Sequence, residues 1–400
     1  MAFYYKLGEI PHKRHTQFRQ PDGSLYAEQL VGTLGFSGVS SLLYHINPPT
    51  KINRIDEPVP FKPKVAEGIK LAPHHLRTLQ VETTGTDYLD ARKTVLLNND
   101  VDISICNPSE REMNYYYKNA ASDEVVFVHD GSGDLLTQMG RIPFKPGDYL
   151  VIPRTVIHKF RFDEGQVRLL IVESHSPIET PRRYRNHFGQ LLEHSPFCER
   201  DMRPPIELIT ETEKGEYRVQ IKKEGYLHQY YYEFSPFDAV GWDGYFFPYA
   251  FSIYDFEPIT GRIHQPPPVH QTFEAHNFVI CSFVPRLFDY HPLAIPAPYN
   301  HSNVDSDEVL YYVEGDFMSR KGVDRASFTV HPGGIPHGPH PGTVEASIGK
   351  KETHEYAVMI DTFKPLHLTE YAVNLMDKNY PMSWSEHHGT NGPRPADMMD

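Results

Sequence analysis

The chain has 400 residues, of which 39% are hydrophobic, 23% charged and 12% aromatic, the balance of a folded protein built as one large domain or two fused modules. Its formal net charge of −13 argues against nucleic acid and anionic membrane surfaces as partners, because their phosphates would be repelled. Three scattered cysteines (Cys106, Cys198, Cys281), an N-terminus without a signal-peptide core and no apolar run of roughly 18 residues point to a cytoplasmic protein in a reducing compartment.

The 35 prolines and 27 glycines predict many turns and short strands. Residues 1–95 read as strands and loops packed onto something else, with Gly/Ser punctuation in TLGFSGVSSLL and strand-like alternation in HHLRTLQVETT. Residues 96–175 become regular: DEVVFVHDGSG, then TQMGRIPFKPGDYLVIPRTVIHKFRF, then QVRLLIVESHSP, a series of antiparallel strands with tight turns. Residues 176–262 form a Pro-rich connecting region that carries one hairpin, YRVQIKKEGYLHQYYYEF. Strand signals return in residues 263–375, as NFVICSFVP, EVLYYVEG, ASFTVHPGGIPHG and EYAVMIDTF. Residues 376–400 are a polar tail expected to wrap the surface or a partner. The expected fold class is therefore mainly β.

The two strand-rich segments share an order of residues. Glu124 is followed seven residues later by Gly131, then by KPGDYLVIP and His158; Glu308 is followed seven residues later by Gly315, then by HPGGIPHG and His337. Repetition in the same order predicts a duplicated β module. In the second copy the full pattern is His301, Asn303, Glu308, Gly315, then Pro332, Gly334 and His337. Two imidazoles and one carboxylate on one face of a metal leave the opposite face open, a set suited to non-haem Fe(II). Taken singly, each ligand has a plainer reading: a surface His, a solvated strand end, a loop His. The first copy has Tyr117 where the early His would stand, followed by Asn119, so only Glu124 and His158 match. That copy is expected to be a metal-free structural module, giving one metal per chain.

These motifs resemble the two conserved motifs of the cupin superfamily, small antiparallel β-barrels of the double-stranded β-helix or jelly-roll type that hold a metal at the mouth. A longer stretch, SPFDAVGWDGYFFPYAFSIYDFEPITGRIH followed by PYNHSN and PHGP, resembles the homogentisate 1,2-dioxygenase family. So does NPSEREMNYYYKNAASDEVVFVHDGSGDLLTQMGRIPFKPGDYLVIPRTVIHKF, and the resemblance spans roughly residues 8 to 375. It implies a two-module cupin with iron only in the second module. The implied reaction opens the ring of homogentisate with O2 to give maleylacetoacetate, in tyrosine and phenylalanine breakdown.

The resemblance implies His301, Glu308 and His337 as Fe(II) ligands and His264 as the catalytic His that handles the phenolic proton. It places Tyr299, His331 and His337 against the substrate, while His270 and His276 are expected to be structural. It also implies a homo-oligomer of trimers pairing into hexamers. The chain departs from the family where the substrate carboxylate is held: Glu314, Phe317 and Arg320 stand where Arg, Tyr and Lys are usual. Arg320, with Tyr311 or Tyr312, is the expected carboxylate contact, and a related acidic hydroquinone or gentisate-like compound is the alternative substrate. A metal-cupin isomerase and a non-catalytic two-module cupin are the rival readings.

Overall fold

The computed structural model describes residues 3–315, 317 and 322–385. By contact density the chain divides into two compact units. The first is Met1–Lys64, Glu82–Asp255 and Phe273–His276; the second is Val65–Val81, Phe256–Thr272 and Asn277–Asp400. Both are built from β-sheet, the fold class expected.

In the first unit one sheet runs, in spatial order, Met202–Arg203, Tyr249–Ser252, Asp148–Ile152, Asp123–Asp130, Arg168–Ser174, Val101–Cys106 and Arg92–Leu97. A second runs Gly140–Phe144, Gly133–Thr137, His158–Phe162, Tyr116–Asn119, Lys214–Lys223, Tyr226–Phe234 and Arg54–Ile55. The predicted hairpin is the Lys214–Lys223 and Tyr226–Phe234 pair, joined to the sheet by a parallel contact with Tyr116–Asn119. Side chains of both sheets meet in one buried cluster: Val126, Leu150 and Leu169 from the first, Leu135, Ile142 and Phe160 from the second. The other face of Asp123–Asp130 is buried too, with Phe127 packed on Tyr149. Burial on both faces explains why DEVVFV reads as a continuous apolar run rather than an alternation.

In the second unit the main sheet includes, in order, Phe278–Phe283, Glu355–Thr362, Asp307–Gly315, Phe328–His331 and His74–Leu76. The strand His74–Leu76 comes from more than two hundred residues upstream of its neighbour, a pairing that local periodicity cannot reveal. Residues opposite one another in a ladder share a face of the sheet. Glu308 pairs with His331 on one side and Asp361 on the other, so all three project together. Leu310, Thr329, Met359 and Cys281 lie on that same face by register.

The two units repeat one another in register. Tyr117 pairs with His158 as His301 pairs with His337. Glu124 faces Ile152 and Glu173 as Glu308 faces His331 and Asp361. Each Glu-bearing strand slips register at the same place, between Val128 and Asp130 in one and between Tyr312 and Glu314 in the other. Each then ends in a left-handed glycine, Gly131 at φ 98° and Gly315 at φ 108°. A Cβ on Gly315 would stand 2.1 Å from the His354 carbonyl oxygen, so both dihedral and space demand glycine there.

What differs is the cation. In the first unit the Arg92 guanidinium lies 2.7 Å from Glu124 Oε1 and 2.8 Å from Glu173 Oε1. Lys222 Nζ donates to Glu173 Oε2 at 2.6 Å, and Asn119 Nδ2 donates to Glu124 at 3.0 Å and Glu173 at 2.7 Å. The Tyr117 hydroxyl adds a third donor to Glu124 at 3.1 Å. His158 donates through Nδ1 to the Val156 carbonyl, and burial holds it below its ordinary value, so it adds no charge. Two buried carboxylates are thus matched by two protein cations.

Removing one partner from such a set leaves an uncompensated buried charge, which costs about 3–5 kcal/mol. Arg92→Ala is therefore expected to lower thermal stability sharply. Burial alone would raise the Glu173 acid, but Arg92 and Lys222 outweigh it and pull it down to about 2. A depressed folded value contributes stability that is present above the unfolded carboxylate range, roughly 4, and lost as pH falls through about 2. Near-UV circular dichroism during acid titration should show Arg92→Ala unfolding at higher pH than the parent; coincident curves would contradict the assignment.

Candidate metal centre

His301 and His337 sit on separate loops but are locked side by side by a two-way backbone bridge. Each N–H donates to the other's carbonyl at 2.9 Å. This puts their rings on one side, with centroids 4.2 Å apart. Glu308 enters from the second position of its strand. Its Oε2 lies 3.7 Å from His301 Nε2 and 3.6 Å from His337 Nε2. One ligand atom from each of the three residues can be chosen so that all lie within 4.8 Å of one another.

Local glycines make this convergence feasible. Gly334 donates to the Asn303 carbonyl at 2.7 Å and Gly333 to Asp307 Oδ1 at 2.7 Å, which folds the turn back onto the strand carrying Glu308. A Cβ on Gly338 would stand 2.1 Å from Asn300 Oδ1, so the segment after His337 can approach His301's neighbour only as glycine. Asn303, at the position of a further motif His, contributes this backbone tie.

The side chains fit a cation. The His337 ring is buried, and neither of its nitrogens has a hydrogen-bond partner among the described residues. Separations of 3.6–3.7 Å are too long for hydrogen bonds, yet two ligand bonds of about 2.1 Å to one ion span such distances. Burial alone would raise the Glu308 acid; contacts with His301, His331 and His337 outweigh it and hold the acid well below the usual carboxylate range. An ionised carboxylate beside two imidazoles is a ready donor set for a divalent metal. His301 is the only partly exposed member, so the open side of the site lies at its ring.

The remaining predicted residues are placed as follows. His331 has no exposed surface; its Nδ1 lies 2.9 Å from Glu308 Oε1 and its Nε2 3.3 Å from the Tyr380 hydroxyl. His264 is exposed, with Nδ1 3.3 Å from Asp289 Oδ2. Its ring stands 5.2 Å from that of Tyr299, which in turn is 6.2 Å from His301, so these rings line up outside the triad. Tyr312 is buried with its hydroxyl on Thr329 Oγ1 at 2.9 Å, and Phe317 packs on its ring. Tyr311 packs against Phe328, and Glu314 is exposed at the strand end. His270 is buried against Phe283, where burial, then Arg286 and His264, push it down to about 3. His276 is exposed. Arg320 lies outside the described residues.

Two participants escape a reading of the sequence. Asp361, opposite Glu308, is partly exposed as a residue, but its Oδ1 is sealed and without a hydrogen-bond partner. Burial first, and the charge of Glu308 second, push its acid up to about 8. The single acid inside the run YAVMIDTF was the available signal. The other is the tail, whose Tyr380 and Trp384 reach the site, as the aromatics in NYPMSW could have suggested.

A family model described as homogentisate 1,2-dioxygenase N-terminal matches residues 7–253. A protein of Saccharolobus solfataricus named "Putative dioxygenase" is 42% identical over 389 residues, covering 96% of this chain and 99% of that protein. Among solved structures, a protein of Pseudomonas aeruginosa named "Putative Glyoxylate Induced Protein" covers 79% of this chain and 99% of its own at 14% identity and a TM-score of 0.35. A cupin 2 barrel protein of Leptotrichia buccalis covers 68% of this chain and 89% of its own at 10% identity and a TM-score of 0.30. The family match spans more than half of the chain, and the 42% identity runs through both units: the chain belongs to the homogentisate 1,2-dioxygenase family.

Proposed function

We propose that the protein is a ring-cleaving dioxygenase that opens homogentisate with O2 to maleylacetoacetate, using one Fe(II) held by His301, Glu308 and His337. The convergence of two imidazoles and one ionised carboxylate in the second unit, matched by a guanidinium in the first, carries this reading. Bound iron in such a set supplies the electronic coupling between an electron-rich ring and O2.

The chain's own residues bind, orient and move protons. Asp289 accepts from His264 Nδ1–H, the tautomer that leaves Nε2 to take the substrate's phenolic proton. Tyr299 stands between His264 and His301 and offers a ring face to the substrate. His337 serves as both ligand and pocket wall, and His331 backs the site through Glu308. Arg320 is the proposed contact for the substrate carboxylate. The exposed Glu314 and the Phe317 ring packed on Tyr312 favour a second reading, a related acidic hydroquinone or gentisate-like substrate. The protein is proposed to act in the cytoplasm as a homo-oligomer, trimeric or hexameric. The exposed apolar run Leu287, Tyr290, Leu293 and Ile295 supports association between copies.

Metal analysis and O2 uptake test the proposal together. The parent should carry one iron per chain; zinc would favour an isomerase and absence of metal a binding protein. Glu308→Ala should lose iron and O2 uptake together, and retained iron would remove Glu308 from the ligand set. His264→Ala should keep its iron while kcat falls roughly 10²–10⁴-fold, the usual size of a general acid–base contribution. Unchanged turnover would exclude that role. Arg320→Ala should raise KM for homogentisate with a smaller change in kcat; an unchanged KM would place the carboxylate elsewhere.

A further inference from the structure

We infer that Tyr380, in the C-terminal segment, is a positioning residue of the metal centre that acts through His331 on the Glu308 carboxylate. The inference rests on the reading above that a metal sits among His301, Glu308 and His337.

The chain delivers Tyr380 by adding the tail to the edge of the second unit. Arg77 N–H donates to the Leu375 carbonyl at 2.8 Å, Leu76 bridges to Met376, and Asp377 N–H donates to the His75 carbonyl at 2.8 Å. An Arg77–Asp377 ion pair at 2.8 Å reinforces the junction. The chain then turns into a short 3-10 helix, Tyr380–Met382, whose Pro381 suits its first turn. Tyr380 is buried, its ring 5.4 Å from that of His75. Beyond it the tail is tied down again. Trp384 stacks on His340 at 4.3 Å, and its Nε1 donates to the carbonyl of Gly338, next to His337. His340 Nε2 meets Ser383 Oγ at 2.8 Å.

This fixes the hydroxyl of Tyr380 3.3 Å from His331 Nε2 while His331 Nδ1 is 2.9 Å from Glu308 Oε1. An ionised carboxylate only accepts, so Nδ1 carries the proton. In the neutral ring Nε2 is then an acceptor, and the Tyr380 hydroxyl is its donor. One hydroxyl thus selects the tautomer, and the tautomer pins Oε1. Oε2 is left directed at His301 and His337. Partners of this kind orient metal ligands, and losing one typically costs 10–100-fold in metal affinity.

The test uses the full-length, metal-free protein and its Tyr380→Phe variant, titrated anaerobically with Fe(II) and, for its visible spectrum, with Co(II). The substitution keeps the ring and removes only the hydroxyl. We expect the Kd for Fe(II) to rise about tenfold or more. The Co(II) bands should shift, with thermal unfolding of the metal-free protein unchanged. A parent that binds neither ion overturns the metal centre itself. A parent that binds, with a variant that matches it in Kd and spectrum, overturns the role of Tyr380 alone. Weakened binding with an unchanged Co(II) spectrum and a parallel fall in Tm marks loosened packing, and overturns it as well.

Discussion

A carboxylate buried in a β-sheet must have a cation, and the architecture of both units follows from that requirement. The same strand position carries Glu124 in one unit and Glu308 in the other, each 1% and 10% exposed at the side chain. In the first unit the cation is Arg92, covalently part of the chain and always charged. In the second the neighbours are His301, His331 and His337, whose nitrogens surround the carboxylate without a permanent charge among them. A duplicated frame thus holds an ion-pair cluster in one unit and a His/Glu cluster in the other, by what the neighbouring segments place against one Glu. The opposite acid differs accordingly. Glu173 is held down by two cations, whereas Asp361 is pushed up by burial and by Glu308.

Much of this was legible in the sequence because it is local. A Glu seven residues before a Gly describes a strand, a register slip and a left-handed exit, and the backbone repeats all three in both units. Pro332, Gly334 and His337 describe a turn, and the turn brings His337 back to His301. The rest is not local. Arg92 reaches Glu124 across two intervening strands of one sheet, and nothing in RKTVLL marks its Arg as buried. His74–Leu76 completes a sheet whose other strands all lie beyond residue 270. Tyr380 sits in a polar segment whose composition suggests a surface strap, and pairing to His75, Leu76 and Arg77 turns it inward.

Burial explains where the residues around the substrate question can and cannot act. The face that carries Glu308 continues along its strand to Leu310 and Tyr312, and across the ladder to Thr329 and Met359. Tyr312 is committed to Thr329, and Tyr311 points to the opposite face, against Phe328. Neither hydroxyl is therefore poised at the open side of the triad. That side belongs to His301, with Tyr299 and His264 beyond it. A small molecule approaching the triad from that side would meet rings first. Glu314 is on the strand, and its exposure lets water screen its charge. The register slip and the left-handed glycine at Gly315 end the regular ladder. The conformation demanded of Gly315 closes the strand that carries Glu308.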